Sequence, residues 1–260
     1  MPKIEIEGWV LVTGATGHLG QELILQIIEA GGRVFATDVP EKAESLFEIQ
    51  ASYPNAQIAC LAGDLDRDEF VDELLMQVKK TAAPLMGLVN NAAYVGTSQL
   101  SGWGNGFDSN ALRAWNSALR LNLTVPMILS YRLMDTFAEK SSIVNIASIY
   151  GLVAPSWNLY ADTDMINPAA YGVSKAGLIQ QSKWLSSVMA SKTRVNTISP
   201  GGILRSGQDT DFQMRYRGMT HTDSMATESD VANGVIFLLS QLSSHVTGQN
   251  MVIDGGFSSS

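Results

Sequence analysis

Cysteine and long apolar runs are scarce in this chain of 260 residues. The single cysteine, Cys60, excludes an intramolecular disulfide framework and a cysteine-rich metal site, and its apolar neighbours favour a buried thiol. No apolar run reaches the roughly 18 residues of a membrane span, so no transmembrane helix is expected. The N-terminus lacks the basic and apolar regions of a secretory signal, which predicts a soluble, cytoplasmic protein. No metal site is predicted.

Charge is also sparse, and basic charge most of all. The 17 lysines and arginines are outnumbered by 25 aspartates and glutamates, which gives a formal net charge of −8. A nucleic acid or an anionic membrane selects a basic surface, so neither is expected as a partner. Charged residues make up 16% of the chain, against roughly 25% in an average domain, and this shortfall is compatible with a large subunit interface.

Short apolar runs alternate with segments of helical period along the whole chain. Two long helices are predicted, one over about 108–139 that Pro126 could bend, and one over about 169–190. The alternation predicts an α/β fold, a three-layer doubly wound parallel sheet in a single domain over residues 1–260. Strands are predicted at 9–12, 34–37, 57–61, 85–89, 143–147, 194–198 and 251–253.

A glycine-rich segment joins the first strand to the first helix. Its glycines at positions 14, 17 and 20 fit the pattern G-x-x-G-x-x-G. Such a turn lets the backbone approach a pyrophosphate, whose charge lies at the helix N-terminus. The pattern predicts a dinucleotide site, with a tight turn as the alternative and His18 as a turn residue rather than a catalyst. The predicted contacts are Gly14, Thr16, Gly17, His18, Leu19 and Gly20.

Acidic residues follow the next two strands. Asp38 lies 18 positions after Gly20, where a carboxylate accepts hydrogen bonds from an adenosine ribose and repels a 2′-phosphate. No lysine or arginine adjoins Asp38, so NAD is favoured over NADP; a simple turn aspartate is the alternative. Asp64, followed by Leu65, is predicted either to meet the adenine amino group or to cap the next helix.

Tyr171 and Lys175 form a Y-x-x-x-K pair on one face of a predicted helix. A tyrosine with its ordinary pKa of about 10 is a weak base. A lysine ammonium one turn away, with a positive nicotinamide ring, would draw the pKa of Tyr171 towards neutrality. Ser148 ends the fifth strand, where its hydroxyl can hold the substrate oxygen that Tyr171 protonates or deprotonates. Packing within the helix and at the strand end is the alternative for these residues.

In the order of its motifs, the chain resembles the short-chain dehydrogenase/reductase superfamily over almost its whole length. The resemblance implies a Rossmann fold, with Tyr171 as general acid/base and Ser148 positioning the reacting oxygen. It also implies that Lys175 holds the nicotinamide ribose and that Asn122 fixes a water between Lys175 and solvent. Further cofactor contacts that it implies are Asn91, Ala92, Tyr171, Lys175, Pro200, Gly201 and Ile203.

The chain departs from the family pattern beside the catalytic residues. Ser148 and Tyr171 are 23 positions apart, a longer separation than the family usually shows, and the excess forms an insertion over about 152–168. Such an insertion predicts a substrate site, with a subunit contact or a solvated loop as the alternative. Residues 203–225 correspond to the family's substrate lid. The candidate substrate contacts are Tyr94, Ser148, Tyr150, Asn158, Tyr160 and Gly202. Arg205, Arg215 and Arg217 could form a cluster that binds a substrate phosphate or carboxylate, with solvent-facing charges on a helix surface as the alternative.

These features predict an NAD-preferring oxidoreductase that interconverts a secondary alcohol and a ketone. A weaker resemblance to enzymes of bacterial surface-sugar and flagellin-glycan synthesis implies a sugar, amino sugar or nonulosonic-acid-like small-molecule substrate. One alternative is an epimerase or dehydratase that retains its NAD, and another is a non-catalytic NAD-sensing protein. Members of the family commonly assemble into oligomers, and this implies a homotetramer or homodimer that forms through the two long helices.

Overall fold

The computed structural model describes residues 4–96, 98, 100–104, 109–189 and 191–259. Seven strands form one parallel sheet: β1 (Trp9–Thr13), β2 (Arg33–Asp38), β3 (Ile58–Ala62), β4 (Leu85–Asn90), β5 (Phe137–Ile146), β6 (Thr193–Pro200) and β7 (Asn250–Ile253). Their spatial order is β3-β2-β1-β4-β5-β6-β7, so the direction of strand addition reverses between β1 and β4. In such sheets ligands bind outside the carboxyl ends of the strands at this reversal.

Helices cover both faces of the sheet, which confirms the predicted three-layer, doubly wound fold. The helices are α1 (His18–Glu29), α2 (Ala43–Ser52), α3 (Asp68–Thr81), α4 (Ser109–Leu119), α5 (Val125–Arg132), α6 (Ala169–Met189), α7 (Thr210–Arg217) and α8 (Glu228–Leu239). One apolar core lies under α1, α2 and α8, and the other lies under α3, α5 and the C-terminal half of α6.

The long helix predicted over about 108–139 is wrong in its C-terminal part. α5 ends at Arg132, and β5 already begins at Phe137, because Phe137 pairs with Leu85 of β4, and Ser141 and Ser142 pair with β6. The predicted boundaries at 108 and 190 lie outside the described residues, as do positions 97, 99 and 105–108 of the neighbouring loop.

A π-helical segment, Arg120–Thr124, separates α4 from α5. The Val125 N–H donates to the Arg120 carbonyl, five residues back, instead of four. Pro126 then falls in the first turn of α5, where its missing N–H is tolerated. Pro126 also lies four positions after Asn122, so it cannot donate the helical hydrogen bond that the Asn122 carbonyl would otherwise accept. The interruption therefore leaves the backbone at Asn122 open to another donor.

Candidate active site

The glycine turn between β1 and α1 is packed too closely for side chains. Gly14 has a φ of +65°, and a Cβ added there would lie 2.9 Å from the Ala92 Cα. A Cβ on Gly20 would lie 2.2 Å from the Gly14 carbonyl oxygen. Gly17 begins α1 without a side-chain cap, and the first main-chain bond of the helix joins the Gln21 N–H to the Gly17 carbonyl. This cradle of backbone at a helix N-terminus fits a dinucleotide pyrophosphate.

Asn91 and Ala92 fix the turn from the neighbouring strand. The Thr13 hydroxyl accepts hydrogen bonds from the Asn91 and Ala92 N–H groups, each at 3.0 Å. The Asn91 amide donates to the carbonyls of Thr13 and Gly14, at 3.0 and 2.9 Å. The Asn91 side chain therefore holds the cradle in shape and spends its donors on the protein.

Asp38 ties the turn to the end of β2. Its Oδ2 accepts hydrogen bonds from the Thr16 N–H at 2.8 Å and from the Thr16 hydroxyl at 2.7 Å, and its Oδ1 accepts from the Val39 N–H at 2.8 Å. A carboxylate has about four acceptor positions, so one remains on Oδ1 for a ligand hydroxyl. The carboxylate can thus hold the turn and contact a ribose at the same time.

Asp64 does not cap the following helix, so that alternative is wrong. α3 begins at Asp68 after Arg67, and no side chain caps it. The Asp64 Oδ1 instead accepts from the Asp66 N–H at 2.9 Å. The Leu65 side chain is 5% exposed and packs into the core, so a cofactor would meet the backbone of Leu65 and not its side chain.

Ser148, Tyr171 and Lys175 come together where β5 ends against α6. The Ser148 side chain lies beside the Tyr171 hydroxyl, whose pKa it lowers, and the Ser148 hydroxyl accepts from the Tyr150 N–H at 3.2 Å. The Lys175 side chain is 3% exposed, and its Nζ lies 5.8 Å from the centre of the Tyr171 ring. Nζ donates to the Ile146 carbonyl at 2.6 Å, and it makes no ion pair with the residues that the structure describes.

Burial moves both pKa values in the direction that disfavours charge. It lowers the pKa of Lys175 to about 7 and raises the pKa of Tyr171, which the neighbouring Ser148 side chain only partly opposes. The prediction that Lys175 and a bound nicotinamide ring together draw the pKa of Tyr171 towards neutrality stays a prediction. A buried lysine without an anionic partner is also suited to the hydroxyl groups of a ribose.

Asn122 is 1% exposed, and its side chain is engaged within the protein. Its side-chain amide accepts from the Tyr94 N–H at 2.8 Å and donates to the Tyr94 carbonyl at 3.0 Å and the Ser174 hydroxyl at 3.1 Å. Both amide protons are thus used to hold the loop after β4 against α6. A bound water would have to be held by the Asn122 carbonyl, which Pro126 cannot engage.

Residues after β6 form the side of the site opposite β4. The Gly201 N–H donates to the Ile253 carbonyl at 2.8 Å, directly after Pro200, and Ile203 forms an isolated bridge with Ala226. The Gly202 N–H donates to the hydroxyl of Tyr216 on α7. The Gly202 N–H is therefore engaged within the protein, and the contact of Gly202 with a substrate stays a prediction.

The predicted substrate contacts separate into two groups. Tyr150 and Tyr160 join hydroxyl to hydroxyl at 2.5 Å, next to Ser148, and Tyr94 lies on the other side against Trp103. Asn158 is exposed, and the contact it makes is through its carbonyl, which accepts from Arg215 at 3.0 Å. The structure thus places Tyr150 and Tyr160 beside the reacting groups and leaves Asn158 apart from them.

The three arginines of the 203–225 segment do not form a cluster. Arg215 donates to the carbonyls of Asn158, Leu159 and Ala161 in the insertion, the last at 2.7 Å. Arg217 pairs with Asp223 at 3.8 Å, and Arg205 lies 3.9 Å from Glu228. Each guanidinium has its own protein partner, so a shared phosphate or carboxylate site is not present. Arg215 instead attaches the insertion to α7.

Sequence reasoning missed Asn167 and Tyr216. Asn167 is 6% exposed and donates to the Tyr160 hydroxyl at 3.1 Å, and Tyr216 stacks on Phe257 with ring centres 4.8 Å apart. Asn167 stands directly before Pro168 at the start of α6. In the sequence this pair is typical of the start of a helix and does not indicate a binding residue. Within the described ranges, no helix has the length and apolarity needed to cross a membrane, and no three potential metal ligands cluster.

The chain is similar in sequence to known proteins over most of its length. Residues 14–258 match the family model described as Enoyl-(Acyl carrier protein) reductase. The post-translational flagellin modification protein A of Campylobacter coli is 28% identical over 253 residues, which cover 95% of this chain and 97% of that protein. The 7alpha-hydroxysteroid dehydrogenase of Bacteroides fragilis is 27% identical over 254 residues, 95% of this chain and 93% of its own.

A solved structure extends the likeness to three dimensions. The short-chain dehydrogenase from Leptospira borgpetersenii with bound NAD+ superposes with a TM-score of 0.81 at 28% identity. The match covers 98% of this chain and 94% of the Leptospira chain, so the likeness includes every element that forms the candidate site.

Proposed function

Because the chain belongs to the short-chain dehydrogenase/reductase family of oxidoreductases, we propose that it interconverts a secondary alcohol and a ketone with NAD as its cofactor. The observation that carries this proposal is the meeting of Ser148, Tyr171 and Lys175 beside the glycine cradle. Bound nicotinamide would supply the hydride acceptor or donor. The protein supplies the proton transfer and the alignment of the reacting oxygen.

The proton path follows from the contacts of the three side chains. Ser148 holds the reacting oxygen within reach of the Tyr171 hydroxyl, which gives or takes its proton. The Lys175 ammonium, held by the Ile146 carbonyl, stabilises the phenolate of Tyr171 when both are charged. A water on the Asn122 carbonyl would connect Lys175 to solvent and restore the proton.

Asp38 supports the preference for NAD, and this preference is testable. Replacing Asp38 with alanine should raise the ratio of kcat/KM for NADP to that for NAD by about tenfold or more, because a carboxylate repels a 2′-phosphate. The control is Thr16→Val, which removes one hydrogen bond to Asp38 but keeps its charge. Steady-state kinetics with both cofactors measure the ratio. An unchanged ratio in Asp38→Ala would remove Asp38 from cofactor selection.

We place the substrate among sugars, amino sugars or nonulosonic-acid-like compounds. The insertion beside Ser148 and the likeness to a flagellin modification protein support this class. A screen of free and nucleotide-linked sugars, read as NADH formation at about 340 nm, tests it. Conversion of a sugar without net NADH would favour an epimerase or dehydratase that retains its cofactor.

We also propose that the protein assembles as a homotetramer or homodimer through α6. Val173, Trp184 and Val188 on this helix are 49%, 49% and 48% exposed. Isolated chains seldom leave an apolar face of this extent in water.

A charge on this face should weaken assembly. Trp184→Glu is expected to lower the mass measured by light scattering towards that of one chain, because an ionised carboxylate cannot be buried without a partner. Phe47→Glu is the matched control, since Phe47 is 62% exposed on α2, away from α6. A monomeric mass for the unmodified protein would contradict the proposal.

A further inference from the structure

Tyr150, Tyr160 and Asn167 form a hydrogen-bonded chain beside the reacting groups. The Asn167 amide donates to the Tyr160 hydroxyl at 3.1 Å, and the two phenol oxygens are 2.5 Å apart. Asn167 is 6% exposed, so its amide is held in place by its surroundings. The Tyr160 phenol lies near enough to the Tyr171 hydroxyl to raise its pKa, and Tyr150 and Asn167 line one cavity of about 750 Å³. The Tyr150 N–H also donates to the Ser148 hydroxyl at 3.2 Å.

A count of protons shows that the chain has one donor left over. The two phenols carry two hydroxyl protons, and the bond between them uses one. Asn167 acts as a donor to Tyr160 and so takes up neither of them. No other acceptor meets either hydroxyl within the described part of the chain. One O–H group of the pair is therefore available to an acceptor on a ligand.

The surroundings select an acceptor without charge. Burial raises the pKa of Tyr150, so its hydroxyl keeps its proton and acts as a donor. Arg215 reaches the same region, but its guanidinium is engaged by three carbonyls of the insertion. An anionic group placed against the tyrosine pair would therefore lose its hydration without gaining a free cation.

We propose that the Tyr150–Tyr160 pair, oriented by Asn167, binds a second uncharged oxygen of the substrate, a hydroxyl or carbonyl next to the reacting carbon. This inference rests on the proposed function, since Ser148 must hold the first oxygen. It narrows the substrate to vicinal diols and α-hydroxy ketones, a class to which sugars belong. It also makes Asn167 a positioning residue, which acts through Tyr160.

The test measures binding apart from turnover. Cyclohexane-1,2-diol, cyclohexanol and 2-hydroxycyclohexane-1-carboxylate are titrated into the protein loaded with NADH, a combination in which an alcohol cannot be oxidised. The dissociation constants are read from NADH fluorescence. We expect the diol to bind about 5- to 20-fold more tightly than cyclohexanol, the range of one hydrogen bond to a buried donor. Turnover of the diol with NAD is then measured separately as NADH formation.

Variants assign the effect to the pair. The double variant Tyr150→Phe/Tyr160→Phe should remove the preference for the diol while leaving cyclohexanol binding unchanged, because either single variant still keeps one phenol proton without a protein acceptor. Asn167→Asp should also remove the preference for the diol at pH 8. A carboxylate accepts a hydrogen bond from the Tyr160 hydroxyl, which can then accept one from Tyr150, so no hydroxyl proton is left for a ligand. Tyr131→Phe is the control, since Tyr131 is 59% exposed on α5.

The outcomes separate this inference from the proposed function. A diol that binds no more tightly than cyclohexanol, or a carboxylate that binds more tightly than the diol, would overturn the inference. A preference that persists in the double variant Tyr150→Phe/Tyr160→Phe would overturn it too. Selective binding of the diol that the double variant abolishes, with no NADH formed from NAD, would instead uphold the pair and contradict the proposed reaction.

Discussion

Tyr171→Phe should lower kcat by about three orders of magnitude, within the range that general acid/base catalysis contributes. The hydroxyl of Tyr171 is the group that meets Ser148, and it supplies the proton for the reacting oxygen. Phenylalanine keeps the ring and its packing, so the fold and the affinity for the cofactor should not change. Stopped-time NADH assays on the substrate found by the sugar screen measure the loss.

Tyr131→Phe provides the control for the loss of a phenol. Tyr131 lies on α5 with 59% of its surface exposed, away from Ser148, and its replacement should leave kcat unchanged. Thermal unfolding of both variants separates a chemical loss from a folding defect. Undiminished turnover in Tyr171→Phe would show that another group transfers the proton.

Gly20→Ala should destabilise the cofactor-free protein by about 2–3 kcal/mol and abolish NAD binding. Helix propensity alone predicts the opposite sign, since alanine is better than glycine inside a helix by about 1 kcal/mol. The added Cβ, however, would lie 2.2 Å from the Gly14 carbonyl oxygen and 2.8 Å from the Ala15 carbonyl. Both are backbone atoms, so the whole turn would have to move. Urea denaturation and NAD titration measure the two effects.

Gly17→Ala is the matched control in the same turn. A Cβ there would meet the Gly14 carbonyl oxygen at 3.4 Å, which is an ordinary contact. Gly17 also has a φ of −64°, which alanine adopts readily, so the stability should change by less than about 1 kcal/mol. Equal destabilisation by the two substitutions would show that the close approach at Gly20 does not shape the turn.

The local patterns of the sequence were sufficient for the fold and for the positions of the main motifs. The apolar runs mark strands such as β1 and β4 that are buried on both faces. The four-residue spacing within α6 places Tyr171 and Lys175 on one side of the helix. The start of β5 at Phe137 was not predictable in this way, because residues 137–142 mix polar and apolar side chains. The pairing of Phe137 with β4 and of Ser141 and Ser142 with β6 makes this segment part of a strand.

The partners of the polar side chains were likewise outside the reach of local patterns. Asp38 bonds to Thr16, 22 positions away, and Arg215 bonds to carbonyls more than 50 positions away. The sequence shows which groups can donate or accept but not which distant groups they meet. The predicted arginine cluster failed for this reason, and Asn167 went unnoticed for the same reason.

The sequence by itself determined the single α/β domain, the glycine turn and the catalytic motif, because each depends on residues that are close neighbours along the chain. The tertiary structure alone decided how those groups behave. It buried Lys175 without an anion, which lowers its pKa to about 7, and it gave the Gly202 N–H to Tyr216. It also joined Tyr150 to Tyr160. Desolvation and hydrogen-bond pairing depend on what lies across space, and only the folded chain specifies that.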